Sequence, residues 1–295
     1  MSNISQKNMR LNPSADLPLH GKRILVTAPR NYAARLATAI IEQGGLPILL
    51  PTIETCRLEN FVELDAALSQ LETFDWIAFT SRHGIEAFFE RMNSLKISSS
   101  TLKSCQFCAI GKDADRLYDF TGRVDLIPDN PSPAGILAEL SKLADIQGKT
   151  VLVPVPQVIG IPEPNVVPNF VAGLQELSMK VTRVPSYLTR CLQKNIYAVE
   201  LDLIRTSQID AIAFSSTAEV EAFLSMVDST EDSQHSGINC GINCAIACFG
   251  PYTAANARDL GLTVNIVAKD YSSFTGFAEA IASGLQKPAF YQTYR

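Results

Sequence analysis

The sequence predicts an α/β protein of two similar domains, each a parallel sheet flanked by helices, and three observations carry that prediction. Short apolar runs alternate with amphipathic stretches along most of the chain, the pattern of strands each followed by a covering helix. A chain of 295 residues exceeds one ordinary core and suits two. One passage is also written twice: residues 74–89 (FDWIAFTSRHGIEAFF) return at 209–224 as IDAIAFSSTAEVEAFL, with eight of sixteen positions identical, among them Asp75/Asp210, Phe79/Phe214, Ser81/Ser216 and Glu86/Glu221.

Taken in order, the first twenty residues are polar, lack the apolar stretch of a secretory signal and read as a flexible tail. Residues 24–26 are β-like, and ARLATAIIEQGG has helical spacing closed by Gly44 and Gly45. LPILLP reads as a second strand, DWIAFTS as a third and HGIEAFFERM as a helix. QFCAIG is a strand, KDADRLYDF a helix, VDLIP a strand and PAGILAELSKLA a helix. GKTVLV then restarts the series, followed by PVPQVIGIPEPNVVP, which reads as a long proline-rich loop.

The second half echoes the first in order. GKRILV (21–26) matches GKTVLV (148–153), 49–51 matches 183–185, CAIG (108–111) matches ACFG (247–250), and the glycine of SPAG (132–135) matches that of SFTG (273–276). Ordered matches whose spacing drifts by a few residues indicate an internal duplication. Each copy has the length of a domain, far above that of a solenoid unit.

Composition narrows the function. A net charge of −5 without a basic block argues against a nucleic-acid surface. No apolar run is long enough to span a bilayer. Seven scattered cysteines suit a reducing compartment. Cys105 and Cys108 sit three apart in a strand-like run and so face opposite ways. Cys240, Cys244 and Cys248, with His235 nearby, read as free thiols rather than as a metal site. The dinucleotide, phosphate-loop, nucleophile-elbow and HExxH motifs are all missing.

Ligands of open parallel sheets bind beyond the strands' carboxyl ends. The turns there are small or hydroxylic and open helices: Val-Thr-Ala-Pro from Val26, Thr-Ser-Arg-His-Gly from Thr80, Gly-Lys-Asp from Gly111, Ser-Ser-Thr from Ser215 and Gly-Pro-Tyr-Thr from Gly250. Each Ser or Thr alone is simply a helix cap. As a set aimed into one cleft, such turns suit a ligand with many carboxylates or phosphates.

These residues resemble the uroporphyrinogen-III synthase family: FTSRHG and FSSTAEV, Gly-Pro-Tyr-Thr-Ala at 250–254, GKRILVTAPR and LPTIET, over about residues 21–285. The resemblance implies two domains joined by a two-stranded linker: a discontinuous domain of 21–53 and 190–295, an inserted domain of 54–189, and a tail of 1–20. It implies a cofactor-independent, metal-free lyase of porphyrin, heme and chlorophyll biosynthesis. The reaction implied is cyclisation of hydroxymethylbilane with inversion of the terminal pyrrole and loss of water. Tyr187 would be the catalytic proton donor. Thr27, Arg30, Ser81, Arg82, His83, Gly111, Lys112, Ser216, Thr217, Gly250, Tyr252 and Thr253 would bind the substrate. The protein would be a monomer of the cytoplasm, or of the plastid stroma after loss of a transit peptide, with a linear tetrapyrrole as its partner and neither nucleic acid nor membrane. Departures from the family pattern stand at Ala28, Ala114 and 154–168. They leave open a paralogue of the same fold that binds a tetrapyrrole or a partner protein. A two-domain transferase acting on a nucleotide sugar is a third reading.

Overall fold

The computed structural model describes residues 14–228 and 242–286. The chain divides into two compact units, one of the described residues up to Thr52 and from Leu192 onward, the other Ile53–Cys191. It opens in the first unit with β1 (Arg23–Val26), α1 (Arg30–Glu42) and β2 (Leu46–Leu49). The second unit holds β3 (Ile53–Cys56), α2 (Val62–Leu68), β4 (Trp76–Phe79), α3 (Arg82–Ser94), β5 (Gln106–Ala109), α4 (Asp113–Thr121), α5 (Pro133–Leu140), β6 (Thr150–Ile159), α6 (Val166–Glu176) and β7 (Lys180–Cys191). The return adds α7 (Ala198–Arg205), β8 (Ala211–Phe214), α8 (Thr217–Asp228), β9 (Ala245–Cys248), α9 (Pro251–Asp259), β10 (Val264–Val267) and α10 (Phe274–Leu285) to the first unit. The two passages run side by side: Leu192 N–H donates to Thr52 O, and Ile53 lies opposite Cys191 in the antiparallel pair β3–β7. Among the described residues no helix is long and apolar enough to cross a membrane.

The first unit's sheet has the order β10-β9-β8-β1-β2, and every neighbouring pair is parallel. The second unit's sheet has the order β3-β7-β6-β4-β5, parallel except for β3. Strands buried on both faces, such as WIAF and AIAF, are continuous apolar runs because helices cover both sides. In the first unit α1 and α10 pack on one face and α7, α8 and α9 on the other. In the second, α5 and α6 cover one face and α2, α3 and α4 the other.

The duplication takes a form the sequence alone does not disclose. The repeated passages pair β1 with β6, β2 with β7, β4 with β8 and β5 with β9. Read that way, β2-β1-β8-β9 and β7-β6-β4-β5 are one spatial order. Each unit therefore combines the opening two strands of one copy, β1 and β2 or β6 and β7, with later strands of the other. The repeated aspartates show the exchange in detail. Asp75 of the first copy accepts Thr150 N–H at 2.8 Å and Lys149 Nζ at 3.2 Å, both from the second. Asp210 of the second copy accepts Arg23 N–H at 2.8 Å and Lys22 Nζ at 2.9 Å, both from the first.

Three expectations change. Of the loop read over 154–168, residues 154–159 are instead the outer half of β6, paired with β7 as far as Ile159, and 166–168 open α6; 160–165 remain a loop. Thr150 N–H points toward β4, so alternation puts the ring nitrogens of Pro154 and Pro156 on that side. β4 pairs no further than Leu152, so no ladder bond is lost there. VDLIP yields only a single bridge, Leu126 to Cys108, with Pro128 just beyond. The Asp125 side chain accepts Phe107 N–H at 2.8 Å, displacing a regular ladder; Asn265 of β10, where the register shifts, does the same to Ile246 N–H of β9. Within the tail read over 1–20, Leu19 is fully buried in the first unit's core and donates its N–H to Gln43 O.

Candidate functional site

The second unit gathers its candidate residues around Tyr187. β7 carries an extra residue against β6 between the partners of Val155 and Pro156, at Ser186, and such a bulge re-aims the side chains beside it. Tyr187 is 8% exposed, and its Oη lies 3.0 Å from Ser81 Oγ. Ser81 caps α3, accepting Gly84 N–H at 3.1 Å. The His83 and Tyr187 rings lie 5.7 Å apart. Burial lowers the His83 pKa, opposed by the Glu86 charge and assisted by that of Arg82. Both rings form part of the wall of a cavity of about 350 Å³, with Thr55, Arg57, Phe61 and Arg91 among the other walls.

A charged cluster stands next to this corner. Arg82 opens α3 and its Nε donates to Glu86 at 3.1 Å, while Arg116 Nε donates to the same oxygen at 3.2 Å. Gly111 has φ +50 and leads through exposed Lys112 into α4. Asp113, which sequence reasoning did not single out, is pushed up to about 6 by burial, with the Arg82 charge and N–H pulling it back.

The first unit is organised around a residue that was also missed. Glu219 is 1% exposed in the first turn of α8. Its carboxylate accepts Ser215 N–H at 2.8 Å, the Ser215 hydroxyl, Ser216 Oγ at 3.1 Å and Thr27 Oγ at 2.8 Å. Burial raises its pKa against the pull of these donors. Thr52 Oγ adds bonds to Thr27 O and Glu219 O, both at 3.3 Å. Thr27, expected to meet a ligand, is instead wholly buried and spends its hydroxyl on Glu219 and on Ala213 O. Its physical role is to tie β1 to β8. The signal for Glu219 was present as Ser216-Thr-Ala-Glu219, a capping-box sequence.

The remaining expected residues fall at the starts of helices. Arg30 is exposed at the start of α1, and Thr217 is half-buried at the start of α8. Gly250 caps α9, followed by Tyr252, 41% exposed, and Thr253, 6% exposed. Cys105 and Cys108 lie in the two opposite cores of the second unit. Cys248 is buried in β9 and Cys244 is half-buried, with burial raising both thiols. Cys240 and His235 lie outside the described residues.

A discontinuous α/β unit, an inserted α/β unit and capped carboxyl-end turns in both define a duplicated two-unit protein with its candidate chemistry in the turns. The family model for uroporphyrinogen-III synthase HemD matches residues 34–276, and the chain belongs to that family. It is 26% identical over 259 residues to the uroporphyrinogen-III synthase of Synechococcus elongatus, covering 88% of this chain and 94% of that protein. It is 24% identical over 279 residues to that of Chlorobaculum parvum, covering 90% and 100%. A solved mutant uroporphyrinogen III synthase from Thermus thermophilus has the same fold, with a TM-score of 0.67 at 17% identity over 90% of this chain and 99% of that one. Membership implies an enzyme of tetrapyrrole biosynthesis acting on a small tetrapyrrole.

Proposed function

We propose that this chain is a uroporphyrinogen-III synthase that closes hydroxymethylbilane into uroporphyrinogen III without a cofactor. The observation that supports this most is the pairing of Tyr187 and His83 on a cavity wall, with Ser81 hydrogen-bonded to Tyr187, in a chain of this family. The phenol of Tyr187 donates its proton to the departing hydroxyl, which leaves as water. The terminal pyrrole attacks the cation left on the bilane through its substituted α-carbon to give a spiro intermediate; that carbon's older bond to the chain breaks, the ring rejoins the chain through its free α-carbon, and the proton shed there returns to the Tyr187 phenolate. A half-buried histidine whose pKa is lowered suits this step, because a charged imidazolium beside Tyr187 would repel the developing cation. The capped turns bind substrate carboxylates through backbone N–H groups, with Arg30, Arg82 and Lys112 as further contacts. Positioning supplies the rest of the acceleration.

A coupled assay tests the reading: purified deaminase supplies hydroxymethylbilane, and the porphyrinogen isomers are separated. The expected product is the type III isomer above the spontaneous type I background; type I alone overturns the proposal. Tyr187→Phe is expected to lower kcat by about a hundredfold while KM changes less than threefold. Unchanged turnover removes Tyr187 from the chemistry.

A further inference from the structure

The geometry points to Ser81 as the positioning residue that sets the direction of the Tyr187 proton. This rests on the reading above, in which Tyr187 gives that proton to the substrate.

The argument begins with the valence of a hydroxyl. Ser81 Oγ has one proton to give and two lone pairs to fill. Among the described residues its hydrogen-bond partners are Gly84 N–H, which can only donate, and Tyr187 Oη, which can do either. If Tyr187 donates, Ser81 accepts twice and its own proton meets no acceptor. If Ser81 donates, its proton meets an acceptor and only one lone pair is left open, the smaller loss at this half-buried site, and the Tyr187 O–H is directed away from Ser81. The second arrangement leaves the Ser81 donor with an acceptor, which the first does not.

The duplicate provides an internal control. Ser216 is the counterpart of Ser81, Glu219 of Gly84, and Thr27 of Pro154. In the first unit Ser216 gives its proton to the Glu219 carboxylate at 3.1 Å and accepts Glu219 N–H at 3.4 Å, so the cap is closed on itself. In the second unit the carboxylate is absent and the tyrosine hydroxyl takes its place. Glycine makes the exchange possible: a Cβ on residue 84 would lie 3.3 Å from Ser81 Oγ, 3.4 Å from Pro154 O and 3.8 Å from Tyr187 Cε1. A longer side chain there would part Ser81 from Tyr187. Gly84 thus frees Ser81's proton from the helix cap for Tyr187.

Donation from Ser81 stabilises the phenolate left after proton transfer, so its removal acts on kcat and on Tyr187 ionisation together. The experiment is an ultraviolet difference titration of the full-length protein, each form being compared with its own Tyr187→Phe partner to isolate one phenol. Ser81→Ala is expected to raise the Tyr187 midpoint by about one pH unit. Ser81→Thr, which keeps both cap and donor, restores it. Ser81→Gly, tolerated at a helix N-cap and unable to donate, raises the midpoint too, which covers the case in which the alanine variant does not fold. An unchanged or lowered midpoint in Ser81→Ala or Ser81→Gly overturns the proposal. In turnover, Ser81→Ala is expected to lower kcat about tenfold with KM within twofold, and to add nothing to Tyr187→Phe. Additive losses, or a rise in KM at constant kcat, overturn it as well. If the wild type forms no type III isomer, the synthase reading fails alone, and the titration still decides the part played by Ser81.

Discussion

Ser81 and Ser216 hold the same place in the two copies and do different work. Each caps a helix at the carboxyl end of an apolar strand. Ser216 is locked into a buried knot with Glu219, Ser215 and Thr27, while Ser81 faces Tyr187 on a cavity wall. The frame around them has not diverged. Asp75 and Asp210 hold the starts of neighbouring strands, Asp125 and Asn265 interrupt the same edge, and Ser132 and Ser273 cap matching helices. One position in the first turn of the helix, Gly84 against Glu219, separates a cap serine bonded to a tyrosine from one closed on its own helix.

The sharpest way to break that contrast is Glu219→Ala. It strands a backbone N–H and the Ser215 and Ser216 hydroxyls that donate to one buried carboxylate, while Thr27 keeps Ala213 O. The expected loss is about 3 kcal/mol, read by hydrogen exchange of first-unit amides near β1, β8 and α8. The second unit should keep its protection. A loss below about 1 kcal/mol would mean that the knot contributes little and that the two corners differ only in appearance.

The next effect has the opposite sign and belongs to the second unit. Asp113 opens α4, and its counterpart in α9 is Tyr252, which carries no charge. The Asp113 carboxyl titrates near 6 against 3.8 when unperturbed. The native state therefore holds this proton more tightly than the unfolded chain. Its stabilising contribution is complete below 3.8 and is lost as pH rises through 6. Asp113→Asn should stabilise the protein by about 2 kcal/mol at pH 7.5, with the gain shrinking below pH 6 and vanishing near pH 4. Paired urea titrations across that range provide the check; a gain that grows on acidification would invert the assignment.

The frame was legible in the sequence and the exchange was not. WIAF and AIAF announce strands buried on both faces, and the repeated aspartates and Gly-Lys turns announce matching sites. Local pattern is the same whichever unit a strand joins, so no residue could reveal that β1 lies beside β8 rather than beside β4. The outer half of β6 was hidden by its prolines. They disfavour a strand in general, and only the early end of β4 makes them harmless here. Tyr187 entered through resemblance, whereas Glu219 and Asp113 act through burial, a property of the folded chain that their neighbours in sequence do not display.

The smallest expected effect tests the part of the comparison that predicts no difference. Ser132 accepts Gly135 N–H at 3.0 Å to start α5, and Ser273 accepts Gly276 N–H at 3.1 Å to start α10. Both glycines are forced by close approach: a Cβ would meet Asn130 O at 2.0 Å in one and Asp270 Oδ2 at 2.5 Å in the other. Ser132→Ala and Ser273→Ala should each cost about 1 kcal/mol, the worth of an N-cap hydroxyl. Ser273 also donates to Asp270 at 2.7 Å, but that contact is exposed, so water can replace it. Melting curves of the two variants should therefore coincide. A gap equivalent to more than about 1 kcal/mol would show that the copies have diverged in their frame as well as at Gly84 and Glu219.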